Sequence, residues 1–213
     1  MMMMMMMMMM KKMFATVTAA ALGLAMVAAT PASANLLTNP GYEDPITQDG
    51  PPFVGFWEAF NGSANSAAFN STVMPRTDLQ HAELQINNSP NDFAGVFQDF
   101  PVVPGAEVTI SVWHKSVGAD SDGSEFRIEW HDAGGEIGRE QITPVPGSEY
   151  SQTSVTAIAP AGAVTARWTY AIQSFGGGPN QNVFLDDASL TIVPEPASLA
   201  LIGLGGLAML RRR

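Results

Sequence analysis

Between Asn35 and Val193 the chain never runs far without a turn-forming group, and that punctuation limits what it can fold into. Asn39-Pro40-Gly41, Asn88-Ser89-Pro90, Pro104-Gly105, Ala133-Gly134-Gly135, Pro146-Gly147 and Pro160-Ala161-Gly162 each preset φ or allow it to be positive. The segments between them are short, rich in apolar alternation, and show neither helical periodicity nor an internal repeat. They predict nine strands: Leu36-Leu37, Gly55 to Phe60, Ala82 to Ile86, Gly95 to Phe100, Glu107 to Lys115, Glu125 to Trp130, Tyr150 to Ala157, Val164 to Ile172 and Val183 to Ile192. Many short strands without a helix between them predict an all-β domain, an antiparallel β-sandwich of the jelly-roll type, over residues 35–193.

Side chains alternate across a strand, so parity assigns faces. Val108, Ile110 and Val112 share one face with His114, opposite Thr109 and Ser111. Phe126, Ile128 and Trp130 lie opposite Arg127 and Glu129, and Val164, Ala166, Trp168, Tyr170 and Ile172 lie opposite Thr165, Arg167 and Thr169. Trp130 and Trp168 therefore read as core and His114 as a hydrogen-bonded interior histidine. Trp113 falls on a polar face beside Ser111 and Lys115, and the parity of Trp57 is ambiguous.

The two ends carry addresses. Lys11 and Lys12, an apolar run from Met13 to Ala29 and Thr30-Pro31-Ala32-Ser33-Ala34 have the three parts of a secretory signal peptide over residues 1–34, with Ala32 and Ala34 as the small residues before the cut. Met1 to Met10 have no physical account. Residues 194–213 consist of Pro194-Glu195-Pro196, an uncharged apolar run from Ala197 to Leu210, and Arg211, Arg212 and Arg213. The apolar run can enter a membrane as a short transmembrane helix, and the arginines hold its end on the cytoplasmic side. An ordinary anchor that stays uncut is the plainer alternative.

All twenty acidic residues lie between Glu43 and Glu195, whereas five of the ten basic ones (Lys11, Lys12, Arg211, Arg212 and Arg213) lie in the end signals. Residues 35–195 thus hold 5 basic against 20 acidic residues, a formal charge of −15. Such a surface excludes non-specific binding to nucleic acid or anionic lipid. With no cysteine, the domain can use neither disulfides nor thiolate chemistry.

In its order of parts, the tail resembles the PEP-CTERM sorting signal of Gram-negative bacteria. The resemblance implies a substrate of an exosortase, exported with the aid of signal peptidase and the export machinery, held transiently at the inner membrane and then placed at the cell surface or outside. A second resemblance rests on six stretches in order: NLLTNPGYED at 35–44, VFQDFPVVPG at 96–105, VTISVWHK at 108–115, IEWHDAGG at 128–135, APAGA at 159–163 and VFLDDASL at 183–190. Together they look like the galactose-binding-like jelly roll of many carbohydrate-binding modules. That resemblance implies a structural calcium tying the first strand to the last through Glu43, Asp186 and Asp187. Alternatively, Glu43 and Asp187 are solvated and Asp186 bonds backbone amides. Asp120 to Glu125 reads as a solvated hairpin loop.

Sugar rings bind on aromatic faces, so Trp113 and Trp57 are the expected platforms, with Tyr42 and Tyr150 behind them, and polysaccharide is the expected partner. His81, His114 and His131 stand in separate segments without metal-ligand spacing, and no nucleophile elbow or phosphate loop is present. The chain therefore reads as a non-catalytic glycan-binding module. The alternatives are a structural surface or matrix protein and, less in keeping with the residues, a secreted glycoside hydrolase.

Overall fold

The computed structural model of the protein describes residues 34–117, 123–175 and 180–193. Residues 1–33 of the signal peptide, Ala32 among them, Pro194, Glu195, Pro196, Arg211, Arg212 and Arg213, and most of the loops around Asp120 and Gly177 lie outside the described residues. Ten strands make up the domain: β1 (Glu58–Asn61), β2 (Ser66–Ser71), β3 (His81–Ile86), β4 (Phe93–Pro101), β5 (Glu107–Ser116), β6 (Glu125–Asp132), β7 (Gly135–Ile142), β8 (Ser151–Ile158), β9 (Thr165–Gln173) and β10 (Gln181–Val193). They pair antiparallel into two five-stranded sheets. The first, sheet A, has the order β1-β4-β9-β6-β7, and the second, sheet B, the order β2-β3-β10-β5-β8.

The inner faces follow parity. Val108, Ile110 and Val112 from β5 and Leu84 and Ile86 from β3 meet Phe126, Ile128, Trp130, Ala166, Trp168, Tyr170 and Ile172 from sheet A in one buried cluster. His114 joins them between the sheets, its Nδ1 2.8 Å from the Tyr170 hydroxyl, which gives the buried imidazole the partner it needs.

Two of the strands were not expected, and one that was expected is irregular. β2 (SAAFNS) and β7 (GEIGREQI) are edge strands, and β7 is exposed along most of its length. An edge strand need bury only part of one face, so its sequence need not alternate. Leu36-Leu37 forms no regular strand. The Leu36 amide still donates to the Leu190 carbonyl at 2.9 Å, and Asn35 both donates to Ala188 and accepts from Leu190, so the chain start is laced to β10.

Candidate functional site

The four tryptophans provide no exposed row. Trp57, expected as a sugar platform, is completely buried, its Nε1 donating to the Asn39 carbonyl at 2.7 Å and its ring 4.7 Å from Tyr42 and 4.9 Å from Trp168. A ring packed on both sides has no face to offer a ligand, and Trp57 is corrected to core. Tyr42 beside it is equally buried. Trp113 does lie on the outer face of sheet B, but the β2–β3 loop crosses there and places the Arg76 guanidinium 3.8 Å from its ring centroid. Lys115 and Tyr150 lie beneath the same loop, with Lys115 4.8 Å from the Tyr150 ring and the Tyr150 hydroxyl donating to the Met74 carbonyl.

The carboxylates expected to hold calcium anchor that loop. Asp186, fully buried, accepts the amides of Arg76 at 2.8 Å and Thr77 at 3.1 Å on one oxygen and its neighbour's amide at 2.8 Å on the other. Asp187 pairs with the Arg76 guanidinium and accepts the Thr77 hydroxyl at 2.9 Å. Glu43 accepts the amides of Leu79 and Gln80. Calcium needs six to eight oxygens with free lone pairs. Here the lone pairs face N–H and O–H donors, and an arginine supplies the cation, so this donor set does not fit the ion. Among the described residues no group of three or more acidic or histidine side chains is arranged to hold a metal.

A different surface has the features of a binding site. The outward residues of sheet A form cross-strand rows: Glu58, Phe97, Thr169, Arg127 and Gln141 in one, and Asp99, Arg167, Glu129 and Arg139 in the next. Arg167 bonds both oxygens of Asp99, at 2.6 and 2.9 Å, and its guanidinium carbon lies 3.7 Å from the Phe97 ring centroid. Arg127 spans Glu125 and Glu129 with bonds of 2.6 Å to each, and His131 Nε2 reaches Glu129 at 3.3 Å. Burial alone would raise the Glu129 carboxyl, but Arg127, helped by His131 and Arg167, holds it below the usual range.

The segment before β1 builds a wall along this face. Glu58, buried, accepts the Gly50 amide at 2.9 Å and the Thr47 hydroxyl at 3.3 Å, folding residues 47–55 back on β1. The Gln98 amide clamps the base of the wall, donating to the Thr38 and Phe56 carbonyls and accepting the Thr38 amide at 2.8 Å. Phe53 then stands edge-on to Phe97 at 5.1 Å, and a cleft of about 280 Å³ opens between Phe53, Phe56 and the floor of Phe97, Gln98 and Asp99. Phe53 and Phe56 remain exposed. Aromatic faces beside fixed, charged hydrogen-bonding groups suit a ligand with C–H patches and hydroxyls on one ring. No tryptophan marks this surface. The signals that could have found it were the polar parity face holding Arg127, Glu129 and Arg167, and two phenylalanines in a proline- and glycine-rich loop.

Residues 193–213 match the PEP-CTERM protein-sorting motif. Comparison with curated protein sequences finds no significant match. In structure the chain is similar to the CBM22-1 xylan-binding domain of Paenibacillus barcinonensis Xyn10C, at 16% identity and a TM-score of 0.53, covering 78% of this chain and 98% of that one. A family 16 carbohydrate-binding module matches at 14% identity and 0.51, covering 74% of this chain and 99% of that one. The enzymatically active domain of bacteriophage CBA120 tailspike protein 4 matches at 14% identity and 0.53, over 64% of this chain and 19% of that much longer one. The chain therefore joins a jelly-roll β-sandwich, the fold these carbohydrate-binding modules share, to a PEP-CTERM sorting motif, which marks it for export and exosortase processing.

Proposed function

We propose that this exported protein is a non-catalytic module that binds extracellular or cell-surface polysaccharide in the cleft on the outer face of sheet A. The observation that carries the reading is the cleft itself: Phe53 and Phe56 in the wall, and Phe97, Gln98 and Asp99 in the floor, with Arg167 bonded to Asp99 and stacked on Phe97. The aromatic rings would cover sugar C–H faces, and the planar, fixed guanidinium and carboxylate would take neighbouring hydroxyls. Catalysis is not expected there. A glycosidase needs a carboxyl free to act as acid at the scissile bond, whereas both carboxylates lining the cleft are engaged, Glu58 by the Gly50 amide and the Thr47 hydroxyl and Asp99 by Arg167.

The test is a polysaccharide and glycan binding screen, with calcium and with chelator. Phe53→Ala and Arg167→Ala should each lower affinity at least about tenfold, an interaction loss of about 1.4 kcal/mol, while the circular dichroism spectrum stays unchanged. Trp113→Ala should leave binding intact. Binding lost in Trp113→Ala but kept in Phe53→Ala would move the site to sheet B and sink this assignment.

A second reading, a structural surface protein, is favoured by β8. β1 is capped by a bridge from Thr47, and β7 carries Glu136, Arg139 and Glu140. The eight residues of β8 (SQTSVTAI) hold neither charge nor proline, so this sheet edge lacks the usual protection against pairing with another chain. Folded protein that binds no glycan but forms concentration-dependent oligomers by light scattering would favour this reading.

A further inference from the structure

The two ends of the sandwich differ in chemistry. At the end where β10 stops at Val193, the connections are Val102 to Ala106, Ala133-Gly134 and Ala159 to Val164, built of valine, alanine, proline and glycine. They knit into one surface: the Val102 amide donates to Val164 at 3.1 Å, Gly105 to Ala159 at 2.9 Å, and Val164 to His131 at 2.9 Å. Val193 lies across Glu107 from Ile158 in the sheet B register. On this end Val103 is 62% exposed, Ile158 57%, Val164 54% and Val193 42%. The connections at the other end, such as Gly62 to Asn65 and Asn87 to Asp92, are mostly Asn, Ser and Asp. Connections on a protein surface are normally polar, and a cluster of exposed apolar side chains marks an interaction surface.

What covers this surface follows from where the chain goes next. Val193 is the last paired residue of β10, and the uncharged run of the sorting motif starts at Ala197, four residues on. Four extended residues span at most about 14 Å, and each headgroup layer takes up about 5–8 Å of that distance. While the run is in a bilayer, Val193 is therefore held at or just above the headgroups. The charge distribution fits the same placement. Glu107, Asp132 and Glu136 are acidic residues at this end, and most of the domain's other acidic residues lie elsewhere. We infer that the Val103, Ile158, Val164 and Val193 end is a membrane-contact face that seats the domain on the lipid interface while the sorting motif is still attached. This inference rests on the export reading above, and its occupant is a zwitterionic lipid surface.

The chain has no cysteine, so single-cysteine variants can be labelled at one place. Val103→Cys on this face and Val145→Cys, 71% exposed in the segment leading to β8 at the opposite end, would carry an environment-sensitive fluorophore. The chain from Asn35 to Arg213 is reconstituted with phosphatidylcholine vesicles, some of whose acyl chains carry a nitroxide quencher near the headgroup. The expected result is co-flotation with the vesicles, a blue shift and quenching at position 103, and neither change at position 145. Co-flotation with no quenching at 103, or equal quenching at both positions, would overturn the membrane-contact face and leave the sorting motif in place as an anchor. Failure to co-float would overturn both. Neither result depends on glycan binding, which is measured separately.

Discussion

His81 and His114 are buried imidazoles in different settings. His114 lies between the sheets against Tyr170, while His81 packs on the Phe184 ring at 4.2 Å on the outer side of sheet B, near Glu83 and Lys115. Burial favours the neutral ring and brings each from 6.5 down to about 4. The unfolded chain therefore takes up these protons at higher pH than the native one. Stability is fully present above about pH 6.5 and is lost as pH falls towards about 4, by on the order of 3 kcal/mol for each histidine. Urea titrations at steps of pH between 7 and 4.5 should show this slope. His114→Phe, whatever its cost at neutral pH, should flatten the slope, and an unchanged slope would mean that the ring is already solvated. His114 was legible as an interior group because β5 alternates cleanly. Trp57 was not, because it sits just before β1, where strand parity gives no guide, and only the Asn39 carbonyl and the rings of Tyr42 and Trp168 show that it faces inward.

At the scale of elements, the β2–β3 loop takes over the work that a bound ion was expected to do. Asp186 at the β10 irregularity and Glu43 accept backbone amides of residues 76–80, and Asp187 takes the Arg76 and Thr77 side chains, which together hold the loop against sheet B. Removing Asp186 would leave the Arg76 and Thr77 amides without their acceptor in a partly buried place, which costs at most about 1–3 kcal/mol for each group left unsatisfied. Asp186→Ala should therefore melt lower, and limited proteolysis should cut between Val73 and Gln80 before it cuts elsewhere. A variant that melts lower yet shows no new cleavage there would mean that Asp186 supports the core and not the loop. The Asp-Asp pair was visible in the sequence. Its partners were not, because Arg76 and Thr77 are more than one hundred positions away in a loop without periodicity. The sandwich itself was legible because core strands must alternate. The cleft was not, because its wall is shaped by hydrogen bonds from Glu58 and Gln98 and not by a pattern of residue types.

At the scale of the whole molecule, a bound metal and a screening salt act on stability in different ways. A segment with 5 basic and 20 acidic residues repels itself when folded, and any cation in solution relieves that repulsion by screening. A stabilising effect of calcium alone would therefore be ambiguous. A calcium site raises the melting temperature at micromolar to millimolar free ion through specific binding, whereas screening depends on ionic strength and not on the identity of the ion. The engagement of Glu43, Asp186 and Asp187 by protein donors predicts the second behaviour. The melting temperature should rise as sodium chloride goes from low concentration to about 0.15 M, where the screening length falls to about 8 Å. Calcium chloride adjusted to the same ionic strength should add nothing, and chelator should remove nothing. Each kcal/mol gained should appear as about 2–4 °C for a domain of this size. A melting temperature that rises with calcium at constant ionic strength, and falls again with chelator, would show that the domain binds the ion specifically and would overturn the screening account.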